Sequence, residues 1–559
     1  MKSALFALPL FALLGTAPLP PLDTVIANGL IYDGSGGEPW RGWVGIRGDS
    51  IVALGRNAVP PAKRRIDARG QAVAPGFINM LSWATESLLV NPTADSDLVQ
   101  GVTLEVMGEG WSMGPLTPAM KAEALKQQGD IKYPISWTTL RQYQDHVIAR
   151  GSAVNIASFV GATTVRIHEL GEADVQPTPE QLDRMRALVR SAMNEGAMGL
   201  GSSLIYAPAS YAKTPELIAL ATESARCGGL YISHMRSEGD RLLEAVDELV
   251  EIARASGGPA EIYHLKAAGK ANWGKLDAVI ARVEAARAAG TRISANMYTY
   301  TAGATGLDAA MPTWVQDGGH DAWVRRLKDP AIRARVVAEM KAPGKDWENL
   351  LFGAGSADNV LFLEFRNPAL KPLTGKTLAE VARMRGTSPE ETAIDLVIED
   401  DSRVGTAYFL MSEANVARQT ALPWMSFGSD EAAPKPAGVF LKSNSHPRAY
   451  GNVARLLGRY VRDQRTTSLA DAIRRLTSLP ASNLGLTDRG RLAPGMKADV
   501  VIFDPAKVSD PATYAKPAQL ATGVDIVLVN GTVSLMNGKP TAATPGRVVT
   551  GPGLGKCPA

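Results

Sequence analysis

The chain has 559 residues, of which 45% are hydrophobic and 21% charged, and its formal net charge is +3. This is the composition of a globular protein, at a length that usually holds about two to four domains. The small net charge comes without a polybasic block, which argues against nucleic acid and against an anionic membrane as partners.

The first residues are predicted to be a secretory signal and to lie outside the fold. Lys2 precedes an apolar run over residues 4–14, and residues 15–17 are small, as a signal peptidase requires. The run is too short to cross a bilayer as an ordinary transmembrane helix. We therefore expect residues 1–19 to form a signal peptide and the protein to be exported, most simply to a bacterial periplasm.

The chain contains two cysteines, Cys227 and Cys557. They do not have the spacing of a zinc motif. Cys557 belongs to a Gly/Pro-rich tail, residues 546–559, and a disulfide would have to fix this tail in place, so we expect none. Such sparse cysteine fits a periplasmic protein better than a disulfide-stapled secreted domain.

Short strands and tight turns are predicted at both ends of the chain. Residues 22–75 contain apolar runs separated by Asn-Gly and Gly-Asp turns, which is the pattern of β-hairpins. A similar block returns at residues 498–533. Because the first block is too small to bury a good core alone, we predict that residues 20–75 and 485–545 combine into one β-domain.

The long middle, residues 76–484, alternates strands with helices. Apolar runs predict strands at residues 102–106, 154–159, 199–204, 230–234, 260–266, 292–300, 360–365, 405–411 and 424–430. Periodic apolar positions predict helices at residues 179–195, 215–226, 242–255 and 276–289. Such repeats form a barrel or an open doubly wound sheet. The first strand–helix turn lacks the G-x-G-x-x-G of a nucleotide-binding sheet, and about eight strands favour an α/β fold of the (β/α)8 barrel type.

One segment, residues 303–357, interrupts the alternation because it supplies no obvious barrel strand. A long insertion at the rim of a barrel is often a lid over the site. A solvated excursion without a gating role fits the sequence equally well.

Two of the predicted strands end on a histidine, His234 and His264, with one helix between them. A strand–helix–strand unit makes the two strands parallel and neighbouring. Both imidazoles then lie at the carboxyl-terminal edge of the sheet, where barrels collect catalytic and metal-binding side chains. Two neutral imidazoles suit a transition metal. The alternative is two ordinary histidines near strand ends.

Candidate carboxylates follow other strands. Asp430 ends the last predicted strand, where it could take a proton from a metal-activated water or cap the next helix. Glu105 lies inside a strand, whereas Glu109 stands between two glycines just past its end. Glu109 is therefore the better placed of the two as an oxygen ligand.

Three further residues are candidates for contact with a substrate. Arg448 follows the Asp430 strand and could hold a carboxylate in a bidentate pair, although a surface arginine is the alternative. Lys266 and Tyr298 lie at strand ends and could hydrogen-bond a substrate oxygen.

Several short motifs occur in a specific order along the chain: Ala74-Pro75-Gly76-Phe77-Ile78-Asn79, Gly101-Val102-Thr103, His234-Met235-Arg236-Ser237-Glu238, His264-Leu265-Lys266, Tyr298-Thr299-Tyr300-Thr301-Ala302-Gly303, Phe427-Gly428-Ser429-Asp430, His446-Pro447-Arg448, Thr477-Ser478-Leu479-Pro480-Ala481 and Gly495-Met496-Lys497-Ala498-Asp499-Val500-Val501. Together they resemble the amidohydrolase superfamily, and more closely its D-aminoacylase (N-acyl-D-amino-acid deacylase) branch. The resemblance runs from about residue 22 to residue 545. It implies a metal-dependent (β/α)8 barrel with a small β-domain built from both chain ends.

The resemblance also implies roles for individual residues. His234 and His264 match the metal histidines of the family, and Asp430 matches the aspartate that activates the hydrolytic water. Arg448 matches the residue that grips the carboxylate of the amino acid. Lys266 and Tyr298 match positions on the substrate side.

The chain departs from the family at its first metal motif. Where the family places Asp-x-His-x-His, this chain has Asn79-Met80-Leu81-Ser82-Trp83, and a cysteine common after the next strand is absent. We predict that Glu109 supplies the missing anionic ligand. The site would then hold one Zn²⁺ between Glu109, His234 and His264, with water in the fourth position, and Leu81 and Trp83 would be apolar walls.

The sequence therefore predicts an exported hydrolase that deacylates N-acyl-D-amino acids by means of a zinc-activated water. A dipeptide or another carboxylate-bearing amide is an alternative substrate within the same chemistry. A non-catalytic amidohydrolase relic, which has lost the His-x-His pair, is the alternative from a different class.

Overall fold

The computed structural model describes residues 21–558, so the predicted signal peptide at residues 1–19 lies outside the described residues. Within the described range, none of the helices combines the length and the apolar character needed to span a membrane.

The strands are β1 Leu22–Ile31, β2 Trp40–Arg47, β3 Ser50–Gly55, β4 Ala62–Asp67, β5 Ala72–Pro75, β6 Phe77–Asn79, β7 Val102–Met107, β8 Asn155–Ser158, β9 Val160–Gly161, β10 Gly199–Ser203, β11 Leu230–His234, β12 Ala260–Ile262, β13 Ile293–Met297, β14 Ala302–Gly306, β15 Val360–Glu364, β16 Gly405–Phe409, β17 Met425–Phe427, β18 Val500–Phe503, β19 Val524–Val529, β20 Thr532–Met536 and β21 Lys539–Pro540.

The α-helices are α1 Ser87–Val90, α2 Asp95–Leu98, α3 Pro118–Gln127, α4 Leu140–Arg150, α5 Ala162–Leu170, α6 Pro179–Asn194, α7 Thr214–Arg226, α8 Leu242–Ser256, α9 Leu276–Ala288, α10 His320–Leu327, α11 Pro330–Met340, α12 Leu350–Ala354, α13 Leu378–Arg385, α14 Pro389–Asp400, α15 Glu413–Gln419, α16 Arg448–Arg455, α17 Leu469–Leu476 and α18 Ser478–Asn483.

A closed parallel barrel forms the centre of the molecule. Its strands lie in two sheets, β6-β7-β8 and β17-β13-β12-β11-β10-β9, and β8 continues into β9 across Phe159. Met198 N donates to Ser158 O at 2.9 Å, and Met80 N donates to Phe427 O at 3.1 Å. These two bonds join the sheets at both seams, so the predicted (β/α)8 barrel is confirmed.

The barrel encloses an apolar layer that supports the site above it. Ile78, Leu104, Phe159 and Ile232 belong to one buried cluster inside the barrel. Because side chains alternate along a strand, Ile232 shares its face with His234 two residues later. The same pattern that fills the barrel therefore directs His234 to its mouth.

Both ends of the chain contribute to a second sheet, ordered β21-β20-β19-β18-β5-β1-β2-β3, with β4 paired to β1. The ends meet where β5 pairs antiparallel with β18, with Val73 opposite Ile502. A separate buried cluster that includes Val44 and Leu528 packs on this sheet. The small β-domain built from both chain ends is thus present.

Strands β14, β15 and β16 form a three-stranded antiparallel sheet outside the barrel, in the order β14-β16-β15. We call residues 302–410 the rim unit; it has its own buried cluster, which includes Phe362 and Tyr408. The prediction that residues 360–365 and 405–411 are barrel strands is therefore wrong, because their apolar faces pack in this cluster. The excursion predicted at residues 303–357 covers only the first part of the rim unit.

Cys227 and Cys557 form a disulfide, so the prediction that they stay unpaired is wrong. The carboxyl-terminal tail is held along the end of α6: Gly551 N donates to Gly196 O at 2.8 Å, and Gly555 N donates to Asn194 O at 3.0 Å. Because these bonds fix the path of the tail, Cys557 reaches Cys227 at the end of α7.

Candidate active site

His234 and His264 lie side by side at the carboxyl-terminal mouth of the barrel. Strands β11 and β12 are parallel neighbours, with Ser233 opposite Ile262, as the sequence predicts. His234 ends β11, and His264 follows β12 by two residues. Both side chains are buried, and their ring centroids are 4.5 Å apart at an interplanar angle of 88°.

Glu109 completes a cluster with the two histidines. Its Oε1 lies 3.1 Å from Nδ1 of His234 and 2.9 Å from Nε2 of His264. One donor atom from each of the three residues lies within 4.8 Å of the others. Burial opposes ionisation of Glu109, but the adjacent His264 and His234 hold the pKa of its carboxyl well below its usual range. The alternative, Glu105, instead accepts a hydrogen bond from Asn79 at 2.8 Å.

Two glycines set the position of Glu109 after β7. Gly108 has φ +105°, and a Cβ there would lie 2.4 Å from the carbonyl oxygen of Phe159. Gly110 has φ +69°, and its Cβ would lie 2.5 Å from Cβ of Ser203. Neither position accepts a side chain, so Glu109 is the residue of this turn that can reach the histidines.

Glu238 is a residue of the site that the sequence reasoning did not select. Its Oε1 lies 3.0 Å from Nδ1 of His264 and 2.5 Å from Nζ of Lys266, and its Oε2 lies 3.5 Å from Nε2 of His234. Burial opposes its ionisation, but Lys266 and the two histidines hold the pKa of its carboxyl well below its usual range. The sequence contained one indication of this role: Glu238 ends the motif that begins at His234, four residues earlier.

Tyr298 separates two cationic side chains. Nζ of Lys266 lies 5.4 Å and Cζ of Arg448 lies 4.3 Å from the centre of its ring. The hydroxyl of Tyr298 is buried and has no hydrogen-bond partner in the described part of the chain. The structure thus brings together the three residues that were predicted to contact a substrate.

Asp430 and Arg448 form an ion pair in which the arginine is buried and the aspartate is largely covered. Nη2 of Arg448 lies 2.8 Å from Oδ2 of Asp430 and donates to its backbone oxygen at 2.7 Å. Burial raises the pKa of Asp430, and Arg448 works in the opposite direction. Among residues 21–558, Nη1 of Arg448 has no hydrogen-bond partner, and its Nε lies 3.9 Å from Oε1 of Glu431. In residues 21–558 the α-helix that follows Asp430 begins only at Arg448, so the alternative of a helix cap at Asp430 does not apply.

Trp83 links two of the carboxylates. Its indole Nε1 lies 3.0 Å from Oε2 of Glu109 and 3.1 Å from Oδ1 of Asp430. The prediction that Trp83 is an apolar wall is therefore wrong, since the side chain donates to both groups. Leu81 does pack in the apolar layer of the barrel. An indole has a polar edge that an assignment from hydrophobicity alone overlooks.

The cluster of Glu109, His234 and His264 has the chemistry of a metal centre. Two imidazoles and one carboxylate are a usual donor set for a catalytic zinc ion, which keeps a fourth position open. The nitrogen of His264 that faces away from Glu109 meets the carboxylate of Glu238, the arrangement that orients a metal-bound imidazole. The residues present therefore fit a metal ion.

Comparison with known proteins agrees with this geometry. The amidohydrolase family model matches residues 64–534. The N-acyl-D-glutamate deacylase of Alcaligenes xylosoxydans xylosoxydans is 32% identical over 530 residues, which cover 94% of this chain and 96% of that protein.

Two solved structures are similar over nearly the whole chain. One is the N-acyl-D-glutamate deacylase of Bordetella bronchiseptica in complex with zinc and a phosphonate inhibitor, with a TM-score of 0.77 and 29% identity over 95% of this chain and 100% of that chain. The other is a D-aminoacylase whose binuclear metal centre shows one-metal activation and second-metal attenuation. Its TM-score is 0.78, and it is 31% identical over 95% of this chain and 100% of that chain. The chain belongs to the amidohydrolase family and to its D-aminoacylase branch.

Proposed function

We propose that the protein hydrolyses the amide bond of N-acyl-D-amino acids. The observation that carries this proposal is the buried cluster of Glu109, His234 and His264 beside the Asp430–Arg448 pair. The cluster provides a metal site, and the pair provides a carboxylate together with a cation that can bind a substrate carboxylate. The D-glutamate deacylases similar to this chain support the same substrate class.

We assign the metal site to one zinc ion held by Glu109, His234 and His264. A bound zinc ion supplies a Lewis acid that polarises the amide carbonyl and lowers the pKa of water. Glu238 keeps the ring of His264 in place through its Nδ1 contact of 3.0 Å. The zinc complex of the related Bordetella enzyme supports the identity of the metal.

Of the remaining residues, one transfers a proton and the others bind the substrate. Asp430 takes the proton of the attacking water on its carboxylate and passes it to the leaving amine. Arg448, whose Nη1 has no hydrogen-bond partner among residues 21–558, binds the carboxylate of the amino acid, and the hydroxyl of Tyr298 donates to the same end of the substrate. Lys266, fixed by Glu238, adds positive charge there.

We also propose that the protein is exported to an oxidising compartment. The signal sequence predicted at residues 1–19 supports export, and the Cys227–Cys557 disulfide supports an environment that keeps cysteines oxidised. The test is fractionation of cells that express the full chain. Unprocessed protein in the cytosolic fraction, with residues 1–19 still attached, would contradict export.

The activity is tested on N-acetyl-D- and N-acetyl-L-amino acids, with chelator-treated enzyme before and after addition of one equivalent of Zn²⁺. We expect the zinc-loaded enzyme to release acetate from the D series and the chelated enzyme to be inactive. Hydrolysis of the L series alone would reject the stereochemical assignment, and cleavage of dipeptides instead would favour the alternative substrate. Zinc-loaded protein that hydrolyses none of these amides would favour the non-catalytic relic.

A further inference from the structure

The chain segments that carry Trp83 and Asp430 are paired through their backbones. Asp430 N donates to Leu81 O at 2.8 Å, and Trp83 N donates to Glu431 O at 2.8 Å. Residues Ser82 and Glu431 form a parallel bridge between these two bonds. The segment that carries Trp83 is thus paired with the segment that carries Asp430, and the indole lies next to the aspartate carboxylate.

Glu109 uses its two oxygens in different ways. Its Oε1 faces His234 and His264, whereas its Oε2 accepts from Trp83 at 3.0 Å. The same indole N–H lies 3.1 Å from Oδ1 of Asp430. Two carboxylate oxygens that converge on one point form a site that would attract a cation. In this protein a neutral N–H group occupies that point.

Within residues 21–558, the cluster of Glu109, His234 and His264 is the one group of three or more His, Cys, Asp or Glu donors close enough to share an ion. An indole nitrogen only donates and cannot coordinate a metal. Leu81, two residues earlier, is apolar and fully buried in the layer inside the barrel. The ring nitrogens of His446 face the backbone oxygen of Ala302 at 3.1 Å and the backbone N–H of Arg448 at 3.0 Å.

We propose that Trp83 closes a second metal position between Glu109 and Asp430 and so restricts the protein to one metal ion. The inference rests on the proposed zinc site. Trp83 acts as a positioning residue: its N–H occupies the point where Oε2 of Glu109 and Oδ1 of Asp430 converge and so keeps a second cation from binding to both carboxylates. Excess metal therefore does not attenuate this protein, in contrast to the related D-aminoacylase with second-metal attenuation.

The test is the number of zinc ions bound by the full chain, measured by calorimetric titration with Zn²⁺ and by elemental analysis after dialysis. We expect one equivalent for the wild type. We expect a second equivalent for the double variant Leu81→His/Trp83→His, in which one imidazole replaces the indole that contacts Glu109 Oε2 and a second stands two residues earlier. The matched control is Arg41→His/Trp43→His on β2 of the second sheet, which has the same one-residue spacing and should remain at one equivalent.

The outcomes separate this inference from the proposed function. A wild type that binds no zinc rejects the metal site itself. A wild type that binds two zinc ions overturns the role of Trp83 and leaves the metal site standing. The role is also overturned if the folded Leu81→His/Trp83→His variant stays at one equivalent, or if the control gains a second ion as well. Activity of the wild type should stay constant as Zn²⁺ exceeds one equivalent.

Discussion

Nη2 of Arg448 lies 2.8 Å from Oδ2 of Asp430. The residue proposed to bind the substrate carboxylate is thus also the counterion of the proposed base. Because Arg448 opposes the effect of burial on the pKa of Asp430, the two functions are coupled through one guanidinium.

Replacement of Arg448 should therefore change the pH dependence as well as substrate binding. In Arg448→Met the aspartate loses its counterion, so the pKa of its carboxyl rises further. The base works only when ionised, and the acid limb of the kcat/KM profile should move to higher pH. Arg448→Lys keeps a cation but loses the planar fork. Arg448→Lys should therefore raise KM and leave the acid limb of the kcat/KM profile near its wild-type position. An acid limb that does not move in Arg448→Met would contradict the coupling between Arg448 and the pKa of Asp430.

Asp430→Asn should retain zinc and lose turnover. The amide cannot accept the proton of the attacking water, and general base catalysis contributes about 10²- to 10⁴-fold to a rate. Single-turnover hydrolysis and elemental analysis on the same sample measure both properties. Asp463→Asn, at an exposed ion pair with Arg462, serves as the control with unchanged activity. Wild-type turnover in Asp430→Asn would reject the base.

His264→Ala should lose both zinc and activity, since it removes one of three protein ligands from the proposed centre. Glu109→Gln should weaken zinc binding by loss of the anionic ligand. Binding of zinc is measured by competition with a chromogenic chelator. His168→Ala is the matched control, because His168 contacts Glu169 outside the cluster. Unchanged zinc affinity in His264→Ala would remove this histidine from the site.

Reduction of the disulfide should lower thermal stability without affecting the site. The bridge closes a loop with a sequence separation of 330 residues, and loss of a native disulfide typically costs about 2–5 kcal/mol. We expect dithiothreitol to lower the melting temperature of the wild type to that of Cys227→Ser, and the variant itself not to respond. Equal melting temperatures for the oxidised wild type and Cys227→Ser would contradict a stabilising role.

Glu348 should make the protein less stable as the pH rises. It lies in the rim unit and accepts from the backbone N–H of Glu238 at 2.7 Å, and burial, with the charge of Glu238, raises its pKa to about 7. The unfolded chain ionises this group at lower pH than the folded protein, so stability decreases from about pH 4.5 to pH 7.

Glu348→Gln keeps the neutral, accepting form of the side chain at all pH values. The variant should match the wild type at pH 4.5 and exceed it at pH 8 by an amount on the order of 3 kcal/mol. Denaturant unfolding at the two pH values measures the difference. The control Glu251→Gln, at an exposed position on α8, should show no such change. A variant less stable than the wild type at pH 8 would contradict the assignment.

The sequence predicted the central features of the site because they depend on local order along the chain. His234 and His264 end two predicted strands that are joined by one helix, and such a unit places its strands parallel and side by side. The structure has these two strands as parallel neighbours. The glycines beside Glu109 likewise indicated a turn at a strand end. Asn-Gly turns and apolar alternation were sufficient to find the two halves of the second sheet.

The wrong predictions have a different cause. They concern contacts between residues far apart in the chain, and a short segment of sequence does not show which distant residues it will contact. The apolar runs at β15 and β16 have the length of barrel strands, and only their antiparallel pairing shows otherwise. The disulfide depends on a tail path fixed by backbone bonds to Asn194 and Gly196. The role of Trp83 depends on two carboxylates that approach it from β7 and β17.

The pairing of Val73 with Ile502 also determines when the molecule can be completed. Most of the chain lies between these residues, and a ribosome adds about 5–20 residues per second. Strand β5 therefore waits tens of seconds for β18 and has no partner on that edge until synthesis is nearly finished. Until then the two halves of the second sheet stay apart, so this sheet is among the last parts of the fold that synthesis can complete.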